Sequence, residues 1–203
     1  MNVALIWDHL SLVLSALILA VGIGVPLGLL AYLFPRFGKA ILWVVDLIQT
    51  VPALALLGII MVVMDPGSPT AVIGLTLYSL LPIVRNTSLG LFQVPEHLKE
   101  AATGMGMSGT YRLLHVEVPL AVPMLVTGIR IAAVNAIGTA VFASFVGGGG
   151  LGGLFYTAIR QENMGMIFVG TLVLMVMAFV LDAGLSYMEH RLSSHSRKKL
   201  PTP

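Results

Sequence analysis

The chain has no cysteine, which excludes disulfides, thiolate metal sites and thiol catalysis together. Charge is nearly as scarce. Asp, Glu, Lys and Arg make up 10 % of the 203 residues, and a net charge of +2 is too small to point to nucleic acid. The five histidines are scattered without metal-ligand spacing. No Gly-x-x-x-x-Gly-Lys-Ser/Thr sequence occurs, and the glycine-rich run from Gly147 to Gly153 has no lysine after it. What remains is 57 % hydrophobic, far outside ordinary globular composition. The bilayer is the expected surrounding.

Leu10 to Leu33 carries no charged residue, long enough for a bilayer-crossing helix of roughly 20 residues. A cleaved signal peptide fits this start poorly. Asp8 precedes the run without any Lys or Arg, and four further apolar segments follow. Five spans are therefore expected, at about 10–33, 41–64, 70–92, 118–145 and 165–188, in one all-α domain covering 1–192. The basic stretch 193–203 reads as a disordered, membrane-proximal tail. Lys and Arg concentrate in that tail, in 34–40 and in the long connector 93–117. The Lys/Arg excess places all three in the cytoplasm and the N-terminus outside.

The connector 93–117 has its own organisation. Pro95 opens a helix, Glu96 favours its first turn, and Gly104, Gly106 and Ser108-Gly109 break it before a second short helix over 110–116. Pro119 and Pro123 then mark re-entry into the membrane. Two short helices meeting at a glycine turn make a compact knob.

Glu100-Ala101-Ala102, Gly106, Val116, Val118 and Pro119 fit the spacing of the loop by which permeases of bacterial ABC importers grip their ATPases. Valines stand at two positions where that family usually has isoleucine and leucine. From about Leu12 to Tyr187 the chain resembles permeases for osmoprotectants of the glycine betaine, choline and carnitine type. The runs EAATGMGM, LLPIVRNT at 80–87, TGIRIAAVNAIGTA at 127–140 and GGGGLGG at 147–153 carry that likeness. The loop alone fits type I importers of methionine, another amino acid or a small anion equally well; a non-transporting membrane scaffold would not need it. The resemblance implies a type I permease fold and a place in the bacterial inner membrane. Its implied partners are a second permease subunit, identical or related, two cytoplasmic ATPases that bind ATP and magnesium, and an extracytoplasmic solute-binding protein. This chain itself is expected to be no enzyme and to bind no cofactor. Ending 15 residues beyond Met188, it is expected to rely on a separate binding protein.

Several residues then ask for roles. Glu100 and Gly106 are the candidates for coupling to the ATPase; the plainer reading is an interfacial helix with a solvated glutamate. Arg130 lies about a dozen residues into the fourth span, where an unpaired charge is costly. Its reading is divided between structure and gating. Asp46 and Asp182 are the in-span acids, yet both are expected near the cytoplasmic ends, which argues against a simple pair with Arg130. Arg85, nearer the cytoplasmic end, is expected to snorkel. Asn135 and Thr139 share a helical face that either packs or lines the route. The run containing Gly147 and Gly150 is either a plain loop or a flexible, re-entrant closure at the outer mouth. Eight Phe, five Tyr and two Trp offer no evident aromatic cage for a quaternary ammonium. Trp7, Tyr32, Trp43 and Tyr187 read as interface anchors, and selectivity is expected to lie in the binding protein.

Overall fold

The computed structural model describes residues 2–197. The described residues are predominantly helical: α1 (Val3–Leu33), α2 (Pro35–Thr50), α3 (Ala53–Met64), α4 (Ser68–Phe92), α5 (Glu96–Gly104), α6 (Gly109–Arg112), α7 (Val118–Thr139), α8 (Gly152–Arg160) and α9 (Met164–Arg197). A π-helical turn, Leu113–Glu117, joins α6 to α7, and a 3₁₀ stretch, Ala140–Val146, extends α7. Among the described residues four helical runs are long and apolar enough to cross a membrane, and the bent pair α2–α3 supplies a fifth pass.

Alternating direction follows from the packing. Helix α1 runs parallel to α4: Thr76 Oγ1 donates to the Ala16 carbonyl, Gly24 abuts Ile83, and Gly28 abuts Thr87. Ala16, Ala20, Gly24 and Gly28 recur every four residues and form a smooth buried stripe, the sequence device by which lipid-embedded helices approach closely. A Cβ at Gly28 would lie 2.5 Å from Thr87 Cβ. Helix α7 runs antiparallel to α4, with Gly90 beside Ala121 and Gly128 beside Asn86. The N-terminus and the last turn of α9 therefore lie at opposite ends of the bundle. Leu12, Val13, Leu75 and Ile137 fill one half of the core, and Leu80, Ile83, Val84 and Ala133 fill the other.

Three expected boundaries change. The second span is not one helix but two, bent by 99°. Pro52 supplies no N–H and keeps Val51 extended (φ −74°, ψ 128°), so the helix stops and restarts. The fourth span does not begin at 118, because the helix is continuous over Gly109–Val146. Pro119 and Pro123 sit inside this run rather than at its entrance. The π-turn accommodates Pro119, with Val118 N–H bonding back five residues to the Leu113 carbonyl. Finally, α9 continues to Arg197, so 193–197 is helical; the rest of the expected tail, 198–203, lies outside the described residues.

Candidate functional site

The knob is built as its glycines dictate. Helix α5 ends in a Schellman motif: Gly106 N–H bonds to the Thr103 carbonyl and Met107 N–H to the Ala102 carbonyl. This closure needs Gly106 at φ +82°, a left-handed conformation costly for residues with a Cβ. Ser108 Oγ then caps α6 by accepting from Tyr111 N–H. Glu100 and Ala101 are exposed on α5, whereas Ala102 is buried behind them. Gly106 is open on its outer side, with nothing within 4 Å of where a Cβ would stand. The knob thus presents a carboxylate and a bare backbone turn on its surface.

Behind that surface lies a charged network that sequence reasoning missed. The Glu117 side chain is 2 % exposed. Its Oε1 accepts from Arg112 Nε at 2.8 Å and its Oε2 from the Tyr32 hydroxyl at 2.6 Å. Residues five apart diverge on an α-helix, but the π-turn brings Arg112 and Glu117 onto one face. Arg112 Nη1 also donates to Thr103 Oγ1 at 2.8 Å, tying α6 to α5. Lys99 lies 5.6 Å from the Tyr32 ring centroid and 3.4 Å from Glu96. Burial lowers the Lys99 pKa, but bonds and charge from Tyr32 and Glu96 outweigh it and the net shift is upward. Tyr32 is accordingly no interface anchor. It stacks edge-on to Phe92, 5.0 Å between centroids, and holds the knob to the end of α1. Trp7, Trp43 and Tyr187 are exposed on the isolated chain. The sequence signal for Glu117 is an acid standing directly before Val118-Pro119 at the start of an apolar span.

Within the bundle Arg130 is fully engaged, contrary to the depth argument. Its Nε and Nη2 reach the two Asp182 carboxylate oxygens at 2.9 and 3.0 Å, and its Nη1 reaches Glu189 at 2.7 Å. The error lay in the length of α9. Because that helix runs from Met164 to Arg197, Asp182 is near its middle. Glu189, seven residues further and on the same face, lies just beyond the expected bound of 188 and joins the cluster. Arg85 also pairs, donating to Asp46 at 2.7 and 2.9 Å on an exposed face.

Asn135 and Thr139 border a cavity of about 430 Å³ lined also by Gln49, Tyr78, Ser79 and Phe142. The broken second pass opens onto it: Gln49 Nε2 donates to the Tyr78 carbonyl, and the Tyr78 hydroxyl donates to the Val51 carbonyl at the break. Asn135 is exposed on the isolated chain, and Thr139 turns its hydroxyl back to the Asn135 carbonyl. From Phe142 at the cavity's edge a chain of rings continues through Phe145 to Tyr156, with centroids 6.5 and 5.8 Å apart.

At the end opposite the knob, the glycine run is folded rather than loose. Gly147, Gly149 and Gly150 adopt φ of 74°, 81° and 78°, and Gly67 N–H bonds to the Val146 carbonyl. His9, fully buried, joins three elements here. Its Nδ1 accepts from Leu151 N–H at 3.3 Å, so Nε2 carries the proton donated to the Ile137 carbonyl at 3.0 Å.

Five helical passes, an interrupted helix at a polar cavity and a projecting two-helix knob define a polytopic membrane permease. Residues 20–194 match the family described as "binding-protein-dependent transport system inner membrane component", and the chain belongs to that family. It is the membrane-spanning component of an ABC importer. It is 36 % identical to the carnitine transport permease protein OpuCB of Listeria monocytogenes over 92 % of this chain and 86 % of that one. It is 39 % identical to the osmoprotectant import permease protein OsmW of Salmonella typhimurium, covering 93 % of this chain and 88 % of that one. A chain of the MetNI methionine ABC transporter, solved in inward-facing conformations, superposes with a TM-score of 0.83 at 21 % identity, covering 92 % and 93 % of the two chains. That likeness concerns the fold, which is the expected all-α type I importer permease.

Proposed function

We propose that this chain and a second permease subunit, identical or related, together enclose the path of a quaternary-ammonium osmoprotectant. The observation that carries this reading is the break at Val51–Pro52. There the backbone leaves the helix beside a cavity edged by Gln49, Tyr78, Asn135 and Thr139. Gln49, Tyr78 and Thr139 bond within the chain, but the Asn135 amide is exposed on this face, where lipid cannot satisfy it and water or a second protein surface can. The carnitine and osmoprotectant permeases among its relatives support the solute class. The N-terminus lies outside and the knob in the cytoplasm, in keeping with the Lys/Arg asymmetry. Two ATPases bind ATP and magnesium beneath the knob, engaged through Glu100, Ala101 and the Gly106 turn. The chain itself binds no cofactor, and an extracytoplasmic protein delivers the solute to the face bearing Gly147 and Gly150.

The chain's lack of cysteine makes the test direct. In intact cells an impermeant thiol reagent should label Pro66→Cys and spare Gly109→Cys. In the same cells Glu100→Ala should reduce both solute uptake and ATPase co-purification while the chain remains inserted. Labelling of residue 109 from outside, or normal uptake by Glu100→Ala, would refute the docking reading.

A further inference from the structure

Two fully buried polar side chains stand at opposite ends of the bundle, and neither faces the cavity. Glu117 is 1 % exposed and His9 0 %. Buried polar groups at such depth are costly unless bonded: His9 bonds Ile137 and Leu151, both remote in sequence, and Glu117 bonds remote Tyr32 as well as nearby Arg112. What connects them is α1. Tyr32, which donates to Glu117, and His9, which holds Leu151 and Ile137, are 23 positions apart in one helix, about 35 Å at 1.5 Å per residue. Between Ser15 and Tyr32 that helix carries no polar side chain. Its small-residue stripe locks it against α4 along most of this length, with Gly24 and Gly28 seated on Ile83 and Thr87. The far end of α4 is tied to the same glycine run, Ser68 Oγ donating to the Gly148 carbonyl at 3.4 Å.

We infer that α1, braced by α4, is a connecting rod, with Tyr32–Glu117 and His9 as positioning residues that pass movement of the knob to the glycine run at the opposite mouth. The inference rests on the knob being the ATPase-docking element. Close-packed helices move as rigid bodies, so a displacement at the knob reaches the far end only if both end joints hold. Tyr32→Phe removes the hydroxyl from one joint and His9→Phe removes both ring nitrogens from the other, each while keeping an aromatic side chain in place.

The test uses the importer assembled with its ATPase and binding protein in proteoliposomes, and reads solute uptake and ATP hydrolysis together. Tyr32→Phe and His9→Phe should each leave the ATPase bound and hydrolysing. Uptake per ATP should fall about tenfold in each, within the range by which coupled sites influence one another. The double variant should be no worse than either single one, because sites this far apart lose independently unless they act through one rod. Unchanged uptake per ATP, additive losses in the double variant, or loss of the ATPase from Tyr32→Phe would each overturn the inference. Glu100→Ala, run in parallel, judges the docking reading separately, by ATPase attachment alone.

Discussion

Replacing Arg130 by methionine tests whether the ion cluster between α7 and α9 is held by its charges or merely shelters them. The substitution leaves Asp182 and Glu189 facing each other across two helical turns, without the guanidinium that now bonds both at 2.7–3.0 Å. A stranded charge at mid-span costs about 2.5–3.5 kcal/mol on insertion scales, and truncating one partner of a buried pair costs about 3–5 kcal/mol. The cluster is not sealed, with side-chain exposures of 27 %, 38 % and 22 % for Arg130, Asp182 and Glu189, so the lower end applies. Arg130→Met should therefore destabilise the permease by ~3 kcal/mol. Asp182→Asn, which weakens two of the three bonds, should cost more than Glu189→Gln, which weakens one. The triple variant Arg130→Met, Asp182→Asn, Glu189→Gln should recover to within about 1 kcal/mol of the parent, since no charge is then left unpaired. The measurement is unfolding of the purified permease in mixed micelles as SDS is titrated. A triple variant as unstable as Arg130→Met alone would refute the reasoning, because the loss would then lie in packing and not in stranded carboxylates.

At the knob, Gly106→Ala should cost about 1–2 kcal/mol of local stability through its φ of +82° and nothing through crowding. Faster proteolytic nicking within 104–109, with unaltered membrane insertion, is the expected readout, and an Ala variant as resistant as the parent would count against it. In the cavity, Asn135→Ala or Thr139→Ala should change the rate of uptake more than the preference among betaine, choline, carnitine and a neutral amino acid. Competition assays with the binding protein unchanged would expose a substrate site here if preference moved instead.

Composition and periodicity revealed the passes because lipid imposes a one-dimensional rule: about 20 apolar residues in a row. The knob was legible because glycines and prolines punctuate it locally. Partnerships were not. Arg130 finds Asp182 and Glu189 across 52 and 59 residues, and only the length of α9 decides that they stand at one depth. Tyr32 looks like an interface aromatic until Glu117, 85 residues away, is known to be buried against it. His9 gave no signal at all, since its two partners are main-chain groups that any sequence would supply. The break at Val51–Pro52 was visible as a proline but not as a bend, because prolines such as Pro26 and Pro82 sit within unbroken helices of the same chain.

The wide turn at Leu113–Glu117 makes this stretch sensitive to length in a way that hydropathy cannot register. It holds one residue more than an ordinary turn, and that surplus is what aligns Arg112 with Glu117. Deleting any single residue there would leave a helix of the same character, still inserted and still apolar. Yet the side chains on one side of the deletion would turn by about 100° relative to those on the other, and the Glu117 carboxylate would swing away from Tyr32 or from Arg112. Exchanges of one apolar residue for another at Leu113 or Leu114, both at least partly exposed, disturb no such alignment. In this segment the number of residues from Gly106 to Pro119 sets an angle, and it is the count rather than the chemistry of the intervening side chains that the fold can least afford to change.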